Sequence, residues 1–305
     1  MKVSIIGAGN VGGTLAQRIA EEDLADVVLL DIAEGIAKGK GLDLEDARNI
    51  VGHNRRISGT SDYNEIRDSS VVVVTAGLTR SPGMTRADLL KKNTDIIKSV
   101  VLAIKEKAPD SIILMITNPL DILTNLALKL SKFSPRKVIG MGGALDSARF
   151  ANIIAEHLAV PVTNVEALVI GAHSQDMIPL TEFSKVSGKP LNQILSVELC
   201  RDLSLATANR GAQIVSCLGQ GSAYYAPSAA AFKMVKAIIK DEKTVIPACV
   251  YCRGEYTIKD VCIGVPVKIG AQGAGEIIEL NLNPGDKEKL INSAQSVKEA
   301  AANIL

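Results

Sequence analysis

The chain has 305 residues and a formal net charge of +1, so a large core can be buried and no polyanion is implied as its main partner. No basic run interleaved with aromatics points to nucleic acid, and no apolar stretch reaches the ~18 residues of a membrane helix. Met1-Lys2 runs straight into a strand pattern with no secretory leader, and the five cysteines form no disulfide ladder, so a soluble cytoplasmic protein is expected.

The first predicted strand, 2–6, carries Val3-Ser4-Ile5-Ile6 and leads into Gly7-Ala8-Gly9-Asn10-Val11-Gly12. A helix pattern covers 11–22, and a second apolar strand, 26–31, ends in Asp31. Strand, glycine turn, helix, strand and carboxylate, with about 20 residues between glycines and acid, form a dinucleotide-binding fingerprint in its full context. Gly7 permits the tight turn, Gly9 lets the backbone approach a pyrophosphate, and Gly12 lets helix and strand pack closely. Asp31 would accept hydrogen bonds from the adenine ribose hydroxyls and repel a ribose phosphate, which favours NAD over NADP.

Helices follow at 34–46, 84–107 and 120–131, and strands at 71–75, 112–116 and 137–139. This alternation predicts a doubly wound parallel sheet with ligands beyond the strands' carboxyl ends, after Ile6, Leu30, Val74 and Ile116. The loop Ala76 to Arg86 lies at such an end, and Gly77, Pro82 and Gly83 suit a closing lid. Arg80 and Arg86 could clamp an anion there, or could simply be solvated. Asn118, in Ile116-Thr117-Asn118-Pro119-Leu120-Asp121, could donate to a substrate carbonyl, although Asn-Pro is also ordinary turn chemistry before a helix.

Near 140 the texture changes, and a boundary is expected there: a dinucleotide-binding domain over 1–140 and an α+β domain over 141–305. Asp146 and Arg149 stand three apart on one helix face; such a pair is usually a surface contact, but its neighbours here are apolar. A buried strand, Ala167-Leu168-Val169-Ile170, ends in Gly171-Ala172-His173. Of the three histidines, His53 sits in a polar stretch read as a solvated loop, and His157 lies on an amphipathic helix. His173, presented at the end of a strand, is the best proton donor on sequence grounds. Cys249 and Cys252 spell C-x-x-C, but on a strand they point to opposite faces, so no metal site is expected. Residues 255–260 read as a strand, and a last helix is expected over about 284–303.

Together these segments resemble the lactate/malate dehydrogenase family over essentially the whole chain. The carrying motifs are Gly7 to Gly12, Asp31, the Arg80–Arg86 lid, Asn118-Pro119-Leu120-Asp121, Leu145-Asp146-Ser147-Ala148-Arg149-Phe150 and Gly171-Ala172-His173. Later stretches, Gly221 to Pro227 and Gly254 to Pro266, are also similar. The resemblance implies an NAD-dependent oxidoreductase interconverting (S)-malate and oxaloacetate, nearest to the lactate-dehydrogenase-like malate enzymes of bacteria and archaea and assembled as a homodimer or homotetramer. It implies that His173 is the acid/base, that Asp146 holds its other ring nitrogen, and that Arg149 pairs with the substrate's 1-carboxylate. Arg86 would polarise the carbonyl, and Asn118 would touch substrate and cofactor. Asn93, Ile116 and Thr117 would be cofactor contacts beside Gly7, Ala8, Gly9, Asn10, Val11, Gly12 and Asp31.

In that family the position of Arg80 is arginine in malate enzymes and glutamine in lactate enzymes, since a guanidinium meets oxaloacetate's second carboxylate. One departure stands out: many members have glycine and aspartate after the histidine, where this chain has Ser174 and Gln175, with Asp176 one place later. Two other readings compete: a lactate enzyme, and a non-catalytic NAD-binding scaffold, which would need none of His173, Asp146, Arg149 and Arg86. The small-residue helices around 205–239 could be core or interface.

Overall fold

The computed structural model describes residues 1–78 and 86–304, without the side chains of residues 86 and 87. The first half alternates strand and helix: β1 (Lys2–Ile6), α1 (Asn10–Glu21), β2 (Asp26–Leu30), α2 (Glu34–Asp46), the short α3 (Arg48–Val51), β3 (Ile57–Thr60), β4 (Val71–Val74), α4 (Arg86–Lys107), β5 (Ile112–Met115), α5 (Leu120–Ser131) and β6 (Val138–Gly140). These six strands are parallel and ordered β3-β2-β1-β4-β5-β6. The order reverses between β1 and β4, which opens the crevice where a doubly wound sheet takes its ligand.

Burial explains the unbroken apolar runs. Val71, Val73, Ile112 and Leu114 join one core, while Val72, Val74, Ile113 and Met115 join the core on the opposite face. Covered on both sides, such strands gain about 1.5–3 kcal/mol for each buried aliphatic side chain. On the first face α1 packs through Leu15 and Ile19; on the other, α4 packs through Ile97, Val101 and Ile104.

The second half begins with α6 (Gly142–Leu158) and short strands β7 (Val165–Glu166), β8 (Val169–Ile170), β9 (Ile178–Pro179), β10 (Lys185–Val186) and β11 (Lys189–Pro190). Two long helices follow, α7 (Val197–Leu218) and α8 (Tyr225–Ile239), then β12 (Thr244–Arg253), β13 (Lys259–Gly270), β14 (Gly273–Ile277) and α9 (Pro284–Ala302). The antiparallel strands β12, β13 and β14 extend the first sheet to nine strands, joined where Cys249 pairs with Gly140. Cys249 and Cys252 do face opposite sides, one in each core. The fold is thus the expected parallel α/β sheet followed by an α+β half. Of the small-residue helices, α8 is core, with Ala230, Ala231, Met234 and Val235 buried, whereas α7 leaves Val197, Leu205 and Leu218 exposed.

One strand escapes the sequence patterns, and two readings need correction. Strand β3 carries no apolar alternation because it is an edge strand under a helix: a Cβ at Gly59 would strike the Ala37 backbone of α2. Residues 255–257 form a tight turn, not a strand, with Tyr256 and Thr257 at φ +52° and +66°. The turn is fixed by the Tyr256 hydroxyl, which donates to the Ile278 carbonyl at 2.7 Å and accepts from the Leu280 N–H at 2.9 Å. His53 is buried, not solvated, and its N–H donates to the Arg48 carbonyl behind the α3 turn.

Candidate active site

At the end of β1 the chain reverses so sharply that Gly7 adopts φ +109°, and a Cβ there would sit 2.6 Å from Thr75 Oγ1. A Cβ on Gly12 would collide with the Gly7 carbonyl, so the helix can pack this closely only through glycine. Gly9 is different: nothing in the protein lies within 4 Å of where its Cβ would be. Its bareness leaves room for a ligand's approach and serves no internal packing. Helix α1 then starts at Asn10 with no side-chain cap and no acid in its first turn, so its N–H groups and positive dipole end are free for an anion. Asn10 is exposed and Val11 half-buried on the crevice wall. These residues fit the pyrophosphate of a dinucleotide.

Asp31 closes the turn from the next strand. Its Oδ2 accepts from Ala8 N–H at 2.7 Å and its Oδ1 from Ala33 N–H at 3.0 Å. Lys40 on α2, which sequence reasoning missed, donates from Nζ to the carbonyls of Ala8 and Gly9 at 2.8 and 2.9 Å. Thr75, also missed, donates from Oγ1 to the Gly7 carbonyl at 2.8 Å. Neither has a motif of its own: each acts on main-chain carbonyls that any sequence would offer.

Beyond the turn lies a cavity of about 380 Å³, whose walls include Val11, Ile116, Thr117, Asn118, Arg149 and His173. A larger cavity of about 750 Å³ behind the His173 loop, between α7 and α9, contains no histidine, and no charged residue on its wall is buried. The smaller cavity carries the chemistry. Thr117 Oγ1 donates to the Ala76 carbonyl at 2.7 Å, and Asn118 follows in an exposed position before a cis bond to Pro119. Asn93 is fully buried: its Oδ1 accepts from Leu78 N–H at 2.8 Å and its Nδ2 donates to the Asn118 carbonyl at 2.8 Å. Its amide therefore holds the two loops that flank the cavity. Arg80 and the Arg86 side chain lie outside the described residues.

His173 is anchored from every side. Gly171 N–H donates to the Gly264 carbonyl at 2.8 Å, Ala172 N–H to Ser293 Oγ at 3.0 Å, and His173 N–H to Asp121 Oδ2 at 2.7 Å. The ring nitrogen Nδ1 lies 2.7 Å from Asp146 Oδ2. With Nδ1 so engaged, Nε2 is left as the nitrogen that can exchange a proton in the cavity. Burial alone would lower the imidazole's pKa, but the Asp146 carboxylate, its hydrogen bond and the Asp121 charge outweigh this and raise it. Arg149 sits beside this pair, its Nη1 at 3.7 Å from Asp146 Oδ1, an ion pair too long for a hydrogen bond. Burial lowers the guanidinium's pKa, against the pull of Asp146, and the Arg210 charge lowers it further. An arginine stays charged regardless, so this is a desolvated cation with donors to spare for a carboxylate.

The structure therefore gathers Val11, Ile116, Thr117, Asn118, Arg149 and His173 around one cavity, with Asp146 behind the imidazole and the glycine turn and Asp31 along the same crevice. The departure at 174–176 has a local role: Gln175 Nε2 donates to the Ala208 carbonyl of α7 at 3.2 Å, and Asp176 N–H donates to Ser174 Oγ at 3.1 Å. Asp176 thus serves the loop itself. Asp121 was quoted in the sequence only as part of a motif; its partner, a main-chain N–H 52 residues away, leaves no sequence trace.

Comparison with known proteins gives a consistent pattern. Residues 1–140 match the family model of the lactate/malate dehydrogenase NAD binding domain, and residues 143–305 that of the lactate/malate dehydrogenase alpha/beta C-terminal domain. Among curated proteins, the malate dehydrogenase of Methanosarcina barkeri is 48% identical over 303 residues, covering 99% of each chain. Among solved structures, a malate dehydrogenase of Cryptosporidium parvum superposes with TM-score 0.96 at 37% identity, over 99% of this chain and 98% of that one. A lactate dehydrogenase of the same organism, complexed with lactic acid and β-nicotinamide adenine dinucleotide, gives TM-score 0.96 and 37% identity over 99% and 97%.

Proposed function

The chain belongs to the lactate/malate dehydrogenase family, and from that footing we propose that it interconverts (S)-malate and oxaloacetate with NAD as its redox partner. The observation that carries this reading is His173, held at Nδ1 by Asp146 at 2.7 Å and facing a cavity that also presents Arg149. NAD, when bound, supplies or accepts the hydride. The protein's own residues manage the proton and the charges. Asp146 fixes the imidazole tautomer, and protonated His173 gives its Nε2 proton to the carbonyl oxygen of oxaloacetate as negative charge develops there. In reverse, neutral His173 takes the hydroxyl proton of malate. Arg149 pairs with the 1-carboxylate in a bidentate manner, Asn118 touches substrate and cofactor, and Arg86 polarises the carbonyl.

We assign substrate choice to Arg80, which would meet the second carboxylate of oxaloacetate. Over pyruvate the guanidinium would be desolvated and unpaired, at a cost of about 3–5 kcal/mol, or roughly 10²–10³ in kcat/KM. The lactate reading has an observation in its favour, since the two Cryptosporidium parvum enzymes match this chain equally well. The fold does not choose between them, and our reading rests the choice on Arg80.

In this reading Gly7, Ala8, Gly9, Asn10, Val11, Gly12 and Asp31 hold the adenine side of NAD, and Asn93, Ile116 and Thr117 the nicotinamide side. Residues 1–140 form the cofactor unit and 141–305 the substrate unit, in a cytoplasmic homo-oligomer. The exposed Ile36, Leu42 and Ile50 on α2 and α3, with Leu205 and Leu218 on α7, support a self-association surface. The test is NADH oxidation with oxaloacetate and pyruvate at matched concentrations. Strong preference for oxaloacetate is expected; preference for pyruvate would refute the assignment of Arg80.

A further inference from the structure

The acid/base group is flanked by a second buried acid. Asp121, at the start of α5, is 5% exposed, and apart from Asp146 it is the only buried carboxyl among the described residues. Its Oδ2 accepts from the main-chain N–H of His173 at 2.7 Å, and beyond the weak donor of the Cys249 thiol its carboxylate has no further partner, which leaves Oδ1 buried without a nitrogen or oxygen donor. A bare buried carboxylate oxygen is costly unless a cation lies close by. One such cation is near, the imidazole of His173 when protonated.

We propose that Asp121 is a positioning residue for the proton transfer, holding the main chain of His173 and supplying the second negative charge that makes the site electrically neutral when the imidazole is protonated. The charged groups facing His173 among the described residues support this. Helix α6 contributes Asp146 and Arg149, and α5 contributes Asp121. The thiols of Cys249 on β12 and Cys262 on β13 lie beside Asp121; burial pushes both well above the usual thiol range, so they stay neutral. On α7, Arg210 faces Arg149 but is paired with Glu156 at 3.0 Å. Among the described residues around His173, two carboxylates therefore balance one guanidinium and one imidazolium. Loss of the proton from His173 leaves an unbalanced negative charge in a buried place. Asp146, 2.7 Å from Nδ1, is the nearer counterion of the imidazolium but also faces Arg149, and Asp121 adds the second negative charge that offsets this sharing. Burial, with the Asp146 charge beside it, leaves the Asp121 carboxyl above the usual carboxylate range, while the His173 charge and the hydrogen bonds from the Cys249 thiol and the His173 N–H pull the other way, so a protonated imidazole favours the ionised acid.

The inference rests on His173 being the proton donor, and the test separates the two ideas. Asp121→Asn keeps an oxygen for the His173 N–H and removes the charge; Asp121→Ala removes both. For Asp121→Asn, the alkaline limb of kcat/KM for oxaloacetate is expected to move about one pH unit to the acid side, a tenfold loss at fixed alkaline pH. Its acid-side plateau should be largely kept. Asp121→Ala should lower the plateau as well, by about ten- to a hundredfold, because the imidazole is misplaced. A limb in Asp121→Asn that coincides with that of the unaltered protein would overturn the proposal. Nitrogen-15 NMR titration of His173 with NADH present reads the same shift without turnover. It still tests Asp121 if the unaltered protein proves inactive on oxaloacetate, which would sink the functional reading instead. Should the variants not fold, the infrared spectrum of the unaltered protein at neutral pH decides. Only ionised carboxylates are expected from its two buried acids, and a protonated carboxyl band would refute the charge pairing.

Discussion

Asn93 Nδ2 donates to the main-chain oxygen of Asn118 across 2.8 Å, tying the helix that follows the arginine loop to the end of β5. The same amide holds both the N–H and the carbonyl of Leu78. One buried side chain therefore sets the spacing of the two loops between which a nicotinamide ring would lie. Replacing Asn93 with Ala leaves these main-chain groups unsatisfied, at about 1–3 kcal/mol for a buried donor or acceptor. A lower denaturant midpoint is expected together with a raised KM for NADH; a wild-type midpoint would remove Asn93 from this role.

His173 sets the pH behaviour. Its folded-state pKa is raised above the ordinary 6.5 by the nearby carboxylates, despite burial. The imidazolium's contribution to stability is therefore fully present below about 6.5 and lost as pH rises through the folded value. Denaturation midpoints of the cofactor-free protein should fall over that alkaline window, and His173→Asn should flatten this segment. The same variant should bind NADH normally, by fluorescence titration, yet lose about 10²–10⁴ in turnover. Near-normal rates would exclude His173 from the mechanism.

Lys40 contributes through the glycine turn and not through catalysis. Its ammonium bonds the Ala8 and Gly9 carbonyls, and hydrogen bonds to a charged group are worth about 1.5–3 kcal/mol. Lys40→Met should raise KM for NADH about tenfold or more, with kcat unchanged. An unaltered KM would mean that the turn holds its shape without the brace.

Arg80→Gln should lower kcat/KM for oxaloacetate by roughly 10²–10³ and raise that for pyruvate, since the charge without a partner is gone. Unchanged preference in paired NADH assays would place substrate choice elsewhere.

Legibility in the sequence followed the range of each interaction. The parallel strands β1, β2, β4 and β5 were visible because burial on both faces leaves long apolar runs, as in Val71–Val74. The glycine turn was visible because sterics at Gly7 and Gly12 allow one residue type. His173 stood out because so few histidines end a buried strand. Edge strand β3 was invisible, since Gly59 answers to the helix above it and not to a periodic pattern. The turn at Tyr256 was misread because alternation is indifferent to the positive φ angles that break a strand. Lys40, Thr75 and Asp121 share a reason for being missed: each binds main-chain atoms, which carry no sequence signal.

The anchoring of His173 also orders events in time as the chain is made. The glycine turn, Asp31, Lys40 and Thr75 all belong to the N-terminal cofactor unit, and N-terminal domains generally fold first during synthesis. The imidazole waits far longer. Its backbone neighbour Ala172 is held by Ser293 in α9, 121 residues downstream, and Gly171 by Gly264. A nascent chain can thus acquire its cofactor turn early while its proton-transfer apparatus stays unassembled until α9 leaves the ribosome. A protein truncated before α9 should retain the means to bind a dinucleotide and lack the means to turn it over.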